Sequence, residues 1–288
     1  LGLAGTLTTE AKAVEGTATE GSEERWKEVD KRYREILARF RTGLADGQVA
    51  DIWYRLGLAA RALGDDKKAE NALRRALEKE PAHEATLAAM VELGGQRGDW
   101  KMVVEAKRGQ IERAPDALKA KLLDEIGDIQ RGKLKDAAAA IGAYLEAQRL
   151  APGGHALLHK LLDAYGEQKQ WRRGVEVLDQ LAALETAPAR RAKYHYAAAV
   201  IARDELADTE VAVERFNLAL DDAPTTPKAF EAIDKLLSDA HDWKNLARAV
   251  RRHLKRLGDD AAPERALEMW TRLGDLYMER GEDDRAFE

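Results

Sequence analysis

Residues 53–81 read WYRLGLAARALGDDKKAENALRRALEKEP. Trp53, Leu56, Gly57 and Ala60 stand at W-x2-L-G-x2-A, Ala69 follows nine residues on, and Leu73, Ala76 and Pro81 close the stretch. Apolar residues recur at helical spacing on both sides of the polar break at 63–69. The stretch therefore reads as two amphipathic helices joined by a tight turn. One such hairpin cannot bury its apolar face alone, so the pattern has to recur. It does: Trp270, Leu273, Gly274, Tyr277 and Ala286 repeat the spacing near the other end of the chain.

Proline marks the joints. Pro81, Pro115, Pro152, Pro188, Pro224 and Pro263 are separated by 34, 37, 36, 36 and 39 residues, with Pro227 just beyond Pro224. Proline is tolerated at a helix start or past its end but not inside. Between the joints lie polar breaks at 63–69, 97–103, 131–137, 167–173, 206–212, 240–246 and 280–286. Most carry Gly, which ends a helix, or Asp, which caps the next. Each unit thus contains a first helix (A) and a second helix (B). The expected A helices begin near 50, 84, 120, 155, 193, 227 and 267, and the B helices near 66, 100, 135, 171, 209, 243 and 283. Ala69, Ala76, Ala140, Ala212, Ala219 and Ala286 fall where helix axes about 8–10 Å apart leave no space for a large side chain. A longer period overlies this one: Trp26, Trp100, Trp171 and Trp243 each open a B helix, at intervals of 74, 71 and 72 residues. Trp26 then opens the B helix of an incomplete leading repeat at 22–42.

These motifs resemble the tetratricopeptide repeat, a helix–turn–helix unit of about 34 residues. The resemblance covers residues 22–288 and is most specific in the first and last full repeats. The middle repeats carry insertions and Leu or Ala at the Trp, Gly and Tyr positions. It implies an all-α fold, a right-handed solenoid superhelix of about seven stacked helix pairs, similar to the long arrays common in bacteria. Soft joints are expected at 132–137 and 184–192. Residues 1–21, rich in Ala, Thr and Gly, match no repeat and read as linker, cap or a segment lying on the array. The chain stops at Glu288 about one turn into a B helix, which reads as part of a longer solenoid.

Composition narrows the chemistry. Lys+Arg (47) nearly balance Asp+Glu (52), and the net charge of −5 is mixed along the chain, which disfavours nucleic acid. The absence of cysteine excludes disulfides and thiolate chemistry. No apolar run approaches the roughly 20 residues that span a bilayer, so no membrane insertion is expected. The lack of cysteine suits a reducing compartment, which favours the cytoplasm slightly. The chain begins at Leu1, so this reading leaves room for a removed signal.

Candidate reactive groups resolve into ordinary helix surface. His155 and His159 have a metal-ligand spacing, but no Glu stands between them at the zinc-protease position and no cysteine is nearby. Asp124, Glu125 and Asp128 have Lys121 and Arg131 within one turn, the spacing of surface ion pairs. Ser22 and Ser238 lie in no nucleophile setting, and no phosphate-binding loop is present. Neither a catalytic residue nor a metal or cofactor is expected. The basic run Arg248, Arg251, Arg252, His253, Lys255 and Arg256 reads as the solvated outer face of a B helix. The tryptophans read as core wedges, so truncating Trp53 or Trp270 should cost about 3–5 kcal/mol.

The resemblance places the partner-binding surface on the concave face lined by the A helices. The positions it implies are Tyr54, Arg55, Leu58 and Arg61, then Glu92, then Asp124, Asp128 and Arg131, then His159, Lys160 and Asp163. Ile201, Asp204, Glu231, Lys235, Arg272 and Asp275 continue it. The Lys/Asn set that clamps a C-terminal carboxylate in chaperone-binding members is missing, since Leu58 or Asp128 takes the first Asn position. The implied function is a non-catalytic scaffold or adaptor binding a protein or peptide partner. The alternative is a sensory or regulatory module of a larger signalling or enzymatic protein.

Overall fold

A computed structural model describes residues 23–40, 43–258 and 263–279, together with Thr9, Lys12, Ala13 and Glu15. The chain divides into two compact units, Leu1–Pro152 and Gly153–Glu288. In the first, α1 (Glu23–Phe40) precedes three hairpins: α2 (Asp46–Ala62) with α3 (Asp66–Lys79), α4 (Glu84–Arg97) with α5 (Trp100–Ile111), and α6 (Asp116–Gly132) with α7 (Ala137–Leu150). The second pairs α8 (His155–Glu167) with α9 (Trp171–Leu184) and α10 (Pro188–Asp204) with α11 (Thr209–Asp222). It continues with α12 (Pro227–Asp239) and α13 (Trp243–Leu257), and then α14 (Pro263–Glu279). Among the described residues the fold is all-α, with no strand. Within each unit successive helices pack on one another, the pattern of stacked hairpins.

Several A helices begin earlier than their apolar pattern indicated: Asp46 rather than 50, Asp116 rather than 120, Pro188 rather than 193 and Pro263 rather than 267. The expectation started these helices several residues after their joint prolines, or after Ala45 in the case of α2. Pro115 instead holds the N-cap position of α6 and Pro188 the first turn of α10, where a missing N–H is harmless. At α2 the Gln48 side chain accepts from the Ala45 N–H at 3.1 Å and starts the helix at Asp46. The B helix expected near 135 starts at Ala137, and Trp26 sits one turn into α1 rather than at its start. The B helix expected at 283, with Ala286, lies outside the described residues.

Six A–B turns share one construction. A residue with positive φ (Gly64, Gly98, Lys135, Lys169, Ala207 or His241) stands immediately before the N-cap of the B helix. In five turns that N-cap is Asp, whose carboxylate accepts from the backbone N–H three residues on: Asp65 from Lys68, Asp99 from Met102, Asp136 from Ala139, Asp208 from Val211 and Asp242 from Asn245. Each such cap stabilises its helix by about 1 kcal/mol. Gln170 fills the position in the sixth turn and makes no side-chain cap bond.

Packing follows the small-residue rule. Ala69, Ala76, Ala140 and Ala212 are fully buried and Ala219 is 1% exposed. In the first unit Val29, Tyr33 and Ile36 of α1 meet Ile52, Leu56 and Ala59 of α2. Leu73 then joins Leu87, Met90, Leu93 and Met102 across the next hairpin. In the second unit Phe216, Leu220, Phe230, Ile233, Leu246 and Val250 form one core with Leu273, Leu276 and Tyr277.

The reading of the tryptophans as core wedges is corrected. Trp53 is half-buried against the α1–α2 core, with the Arg75 guanidinium 4.7 Å above its ring. Trp270 is 59% exposed, because Met269, Leu273, Leu276 and Tyr277 are the side chains that α14 turns toward α12 and α13. The basic run is corrected as well. His253 is fully buried and stacks on Phe230 at 4.5 Å, while Arg256 reaches Asp221 at 2.7 Å and the Asn217 carbonyl at 3.0 Å. Only Arg248, Arg251, Arg252 and Lys255 of that run are solvated.

Candidate functional site

Once an A helix has buried its apolar stripe, the remaining face is polar. In the first unit the expected partner-facing residues lie on α2, α4 and α6. Tyr54 is half-buried with its ring 5.7 Å from His83, the N-cap of α4. Arg61 forms a bidentate pair with Glu92 on α4 at 2.8 and 2.6 Å, a geometry that fixes planar orientation as well as charge. The bond from Arg61 holds Glu92 below the usual carboxylate range. Leu58, between Tyr54 and Arg61 on α2, is half-buried, while Glu92 is exposed. On α6, Asp124 and Arg131 are half-buried, and exposed Asp128 accepts from the Tyr144 hydroxyl at 2.8 Å. Glu125 takes Lys107 of α5 as its partner at 2.5 Å.

Arg55 is the most engaged of the set. It bonds Asp51 on its own helix at 3.2 Å and Glu15, from outside every repeat, at 2.5 Å. Glu15 also accepts from the Tyr33 hydroxyl at 3.0 Å. Burial opposes the charge on Arg55, yet the bond from Glu15 and the nearby Asp51 raise its pKa further.

In the second unit the set lies on α8, α10, α12 and α14. His159 and Asp163 are exposed and Lys160 half-buried. The His159 ring lies 5.9 Å from Tyr194 of α10, with Nε2 3.3 Å from its hydroxyl. Ile201 is half-buried, and exposed Asp204 pairs with its neighbour Arg203 at 2.7 Å, which holds its pKa down. Glu231 and Lys235 are exposed on α12. Arg272 donates to Asp234 at 2.9 Å and to the Ser238 hydroxyl at 2.9 Å. Arg272 and Asp234, with Asp275, Phe230 and Leu267, line an open cleft of about 550 Å³ between α12 and α14.

The structure therefore joins neighbouring A helices through side-chain pairs: Arg61–Glu92, His159–Tyr194 and Asp234–Arg272. Glu15, Tyr33, Asp51, Tyr194, Asp234 and Ser238 were not among the expected residues. The signal for some was present: Tyr194 and Asp234 sit about one repeat from His159 and Arg272, with complementary chemistry. No sequence period could reveal Glu15. Among the described residues no group of three or more His, Asp or Glu is placed to hold a metal, and no helix is long and apolar enough to cross a membrane.

Residues 50–83 match the tetratricopeptide repeat family model. Among solved structures, the chain is similar to one in the Naa15/Naa10 complex bound to HypK-THB, at 14% identity and a TM-score of 0.51, over 94% of this chain and 39% of that one. YrrB, a TPR protein with an unusual peptide-binding site, matches at 12% identity and TM-score 0.37, over 69% of this chain and 96% of that chain. The C-terminal part of a TPR repeat-containing protein from Cytophaga hutchinsonii matches at 14% identity and TM-score 0.39, over 92% and 98%. The first of these supports the fold, and the other two add nothing to the argument. No curated protein sequence matches the chain.

Proposed function

Because the chain is a tetratricopeptide repeat protein, we propose that it is a non-catalytic scaffold or adaptor that holds a peptide or helix of a protein partner against its A helices. Stacked repeats of this kind generally offer extended binding surface rather than reactive groups. The observation that carries the reading is the state of the A-helix face. Most of its apolar residues are taken up by packing, with Leu118, Leu267 and Trp270 left exposed, while charged and aromatic side chains of neighbouring repeats stand paired at the surface. Exposed ion pairs are worth only about 0–1 kcal/mol, so a partner can exchange one of their members at small cost. The mixed charge (Arg61, Glu92, Lys235, Asp275) suits a protein segment of alternating sign better than a polyanion.

Crosslinking of the full chain to captured partners, followed by mapping of the linked residues, tests this. Links confined to the B helices would defeat the proposal. Charge reversal at Glu92 or Lys235 should weaken capture without moving the melting temperature.

A further inference from the structure

Glu15 belongs to no repeat, yet its side chain is only 16% exposed and it carries two hydrogen bonds into the first repeats. Its Oε2 accepts from the Tyr33 hydroxyl of α1 at 3.0 Å and from Arg55 Nη1 of α2 at 2.5 Å. Three residues earlier Lys12 places its ammonium 3.8 Å from Asp51, one turn before Arg55 on α2. Thr9, Lys12, Ala13 and Glu15 are helical. A basic residue followed at i+3 by an acidic one therefore faces an acidic residue followed at i+4 by a basic one. Two opposite-charge pairs lie along one contact and fix its register.

The two pairs differ in strength. Lys12 is about half exposed, so its pair with Asp51 is screened and weak. The Glu15 pair is shielded on both sides: the Arg55 side chain is 20% exposed and Tyr33 is fully buried. A shielded charge-assisted bond is roughly twice as strong as a neutral one, and losing one partner leaves the other desolvated. Burial and the adjoining Glu15 carboxylate also push the Tyr33 hydroxyl well above its ordinary pKa, so it remains a donor throughout the physiological range. Tyr33 and Arg55 thus form a built seat for one carboxylate, with Asp51 setting the direction of the segment that delivers it.

We infer that Tyr33, Asp51 and Arg55 are a receptor for a helical protein segment carrying a basic residue three positions before an acidic one, and that Lys12 and Glu15 of this chain occupy it in cis as the partner's competitor. The inference rests on the A-helix face being the partner surface and names the chemistry recognised at its first position. A ligand tethered through so short a stretch as residues 16–22 has an effective concentration in the millimolar range. An outside segment must overcome that occupancy, so its apparent affinity for the intact chain is reduced by the fraction of time the seat is taken.

The test uses the full chain and a fluorescent peptide of residues 7–19 as probe. Glu15→Gln in the chain empties the seat, and the probe should then bind about 10- to 100-fold more tightly than it binds wild type, the range expected for one charge-assisted bond. Adding Arg55→Gln should abolish the gain. Adding Tyr33→Phe, which keeps the buried ring and removes only the hydroxyl, should reduce it several-fold. A probe with Gln at its own Glu15 position should bind every variant weakly. In hydrogen exchange, the amides of Lys12, Ala13 and Glu15 should be protected in wild type and lose protection in Glu15→Gln.

Equal probe affinity for wild type and Glu15→Gln would overturn the inference. So would gains that survive both Arg55→Gln and Tyr33→Phe, or an unprotected segment in wild type. A partner crosslinked at Glu92 or Asp163 whose affinity ignores Glu15→Gln would remove this inference and leave the broader scaffold reading standing. Probe behaviour as expected, with partners linked only to B helices, would remove the scaffold reading and the competition with a partner, and leave only the contact of Glu15 with Tyr33 and Arg55 in cis.

Discussion

Gly127→Ala should be among the most damaging single-methyl changes this chain can take. Gly127 lies on α6 where that helix meets α7, and a Cβ built there falls within contact of the Tyr144 ring at Cε1, Cδ1 and Cζ. The ring has nowhere to go. Tyr144 is 1% exposed, and its hydroxyl is tied to Asp128 at 2.8 Å, the residue next to the glycine. Either the ring leaves its rotamer and strains the core, at about 1–3 kcal/mol, or it slides and loses a bond to a charged group, worth about 1.5–3 kcal/mol. Ala has the better helix propensity by about 1 kcal/mol, which offsets part of this. The expected net loss is about 0.5–2 kcal/mol. Gly142 on α7 is the control: an added Cβ there meets nothing within 4 Å, so Gly142→Ala should be neutral or stabilising by up to about 1 kcal/mol. Urea unfolding of the full chain, followed by far-ultraviolet circular dichroism, compares the two midpoints. If both variants shift in the same direction by the same amount, the close approach of α6 to α7 is not what places a glycine at 127.

The other expectations concern turns, tryptophans and acid. Lys135, Lys169, Ala207 and His241 hold left-handed backbone, which costs an L-residue about 1–2 kcal/mol, part of which glycine's greater unfolded-state entropy takes back. Glycine at any one of them should raise the urea midpoint by the equivalent of about 0.5–1 kcal/mol, and a lowered midpoint contradicts the shared turn construction. Trp53→Ala should destabilise by about 2 kcal/mol, below the full-burial value because the ring is half-buried, whereas exposed Trp270→Ala should stay within about 0.5 kcal/mol. Equal losses in thermal melts would restore the view of both as wedges. His195 on α10 has its pKa lowered by burial, against the pull of Asp222 at 3.7 Å and of Asp179, and with Arg215 and Arg191 adding to the lowering. A histidine kept neutral by folding contributes stability that is complete above its unfolded pKa of about 6.5 and is lost as pH falls through the lower folded value. The melting temperature should therefore drop from pH 7.5 to 5.5 by less in His195→Gln than in wild type, and identical drops would exclude this group as a source.

The amino-acid sequence alone determined the hairpin units, their joints and most of their contacts. Local rules control all three. Apolar spacing defines each helix, proline is tolerated only at the joints, and in five of the six described A–B turns an Asp cap follows a left-handed residue. Small residues at crossings, from Ala69 to Ala219, were legible for the same reason, because every repeat meets its neighbour in the same way. The A-helix face followed from the resemblance, but its pairing did not. Whether Arg61 reaches Glu92, or Arg272 reaches Asp234 and Ser238, depends on the offset between stacked hairpins, and inserted residues change that offset from repeat to repeat. Side-chain burial was a tertiary outcome too: Trp53 and Trp270 share one motif, yet the first is half-buried beneath Arg75 while the second is exposed. Most of all, only the tertiary structure could bring Glu15 to Arg55. That contact spans forty residues with no period to announce it, and its strength comes from shielding by α1 and α2, which exists only after they have packed.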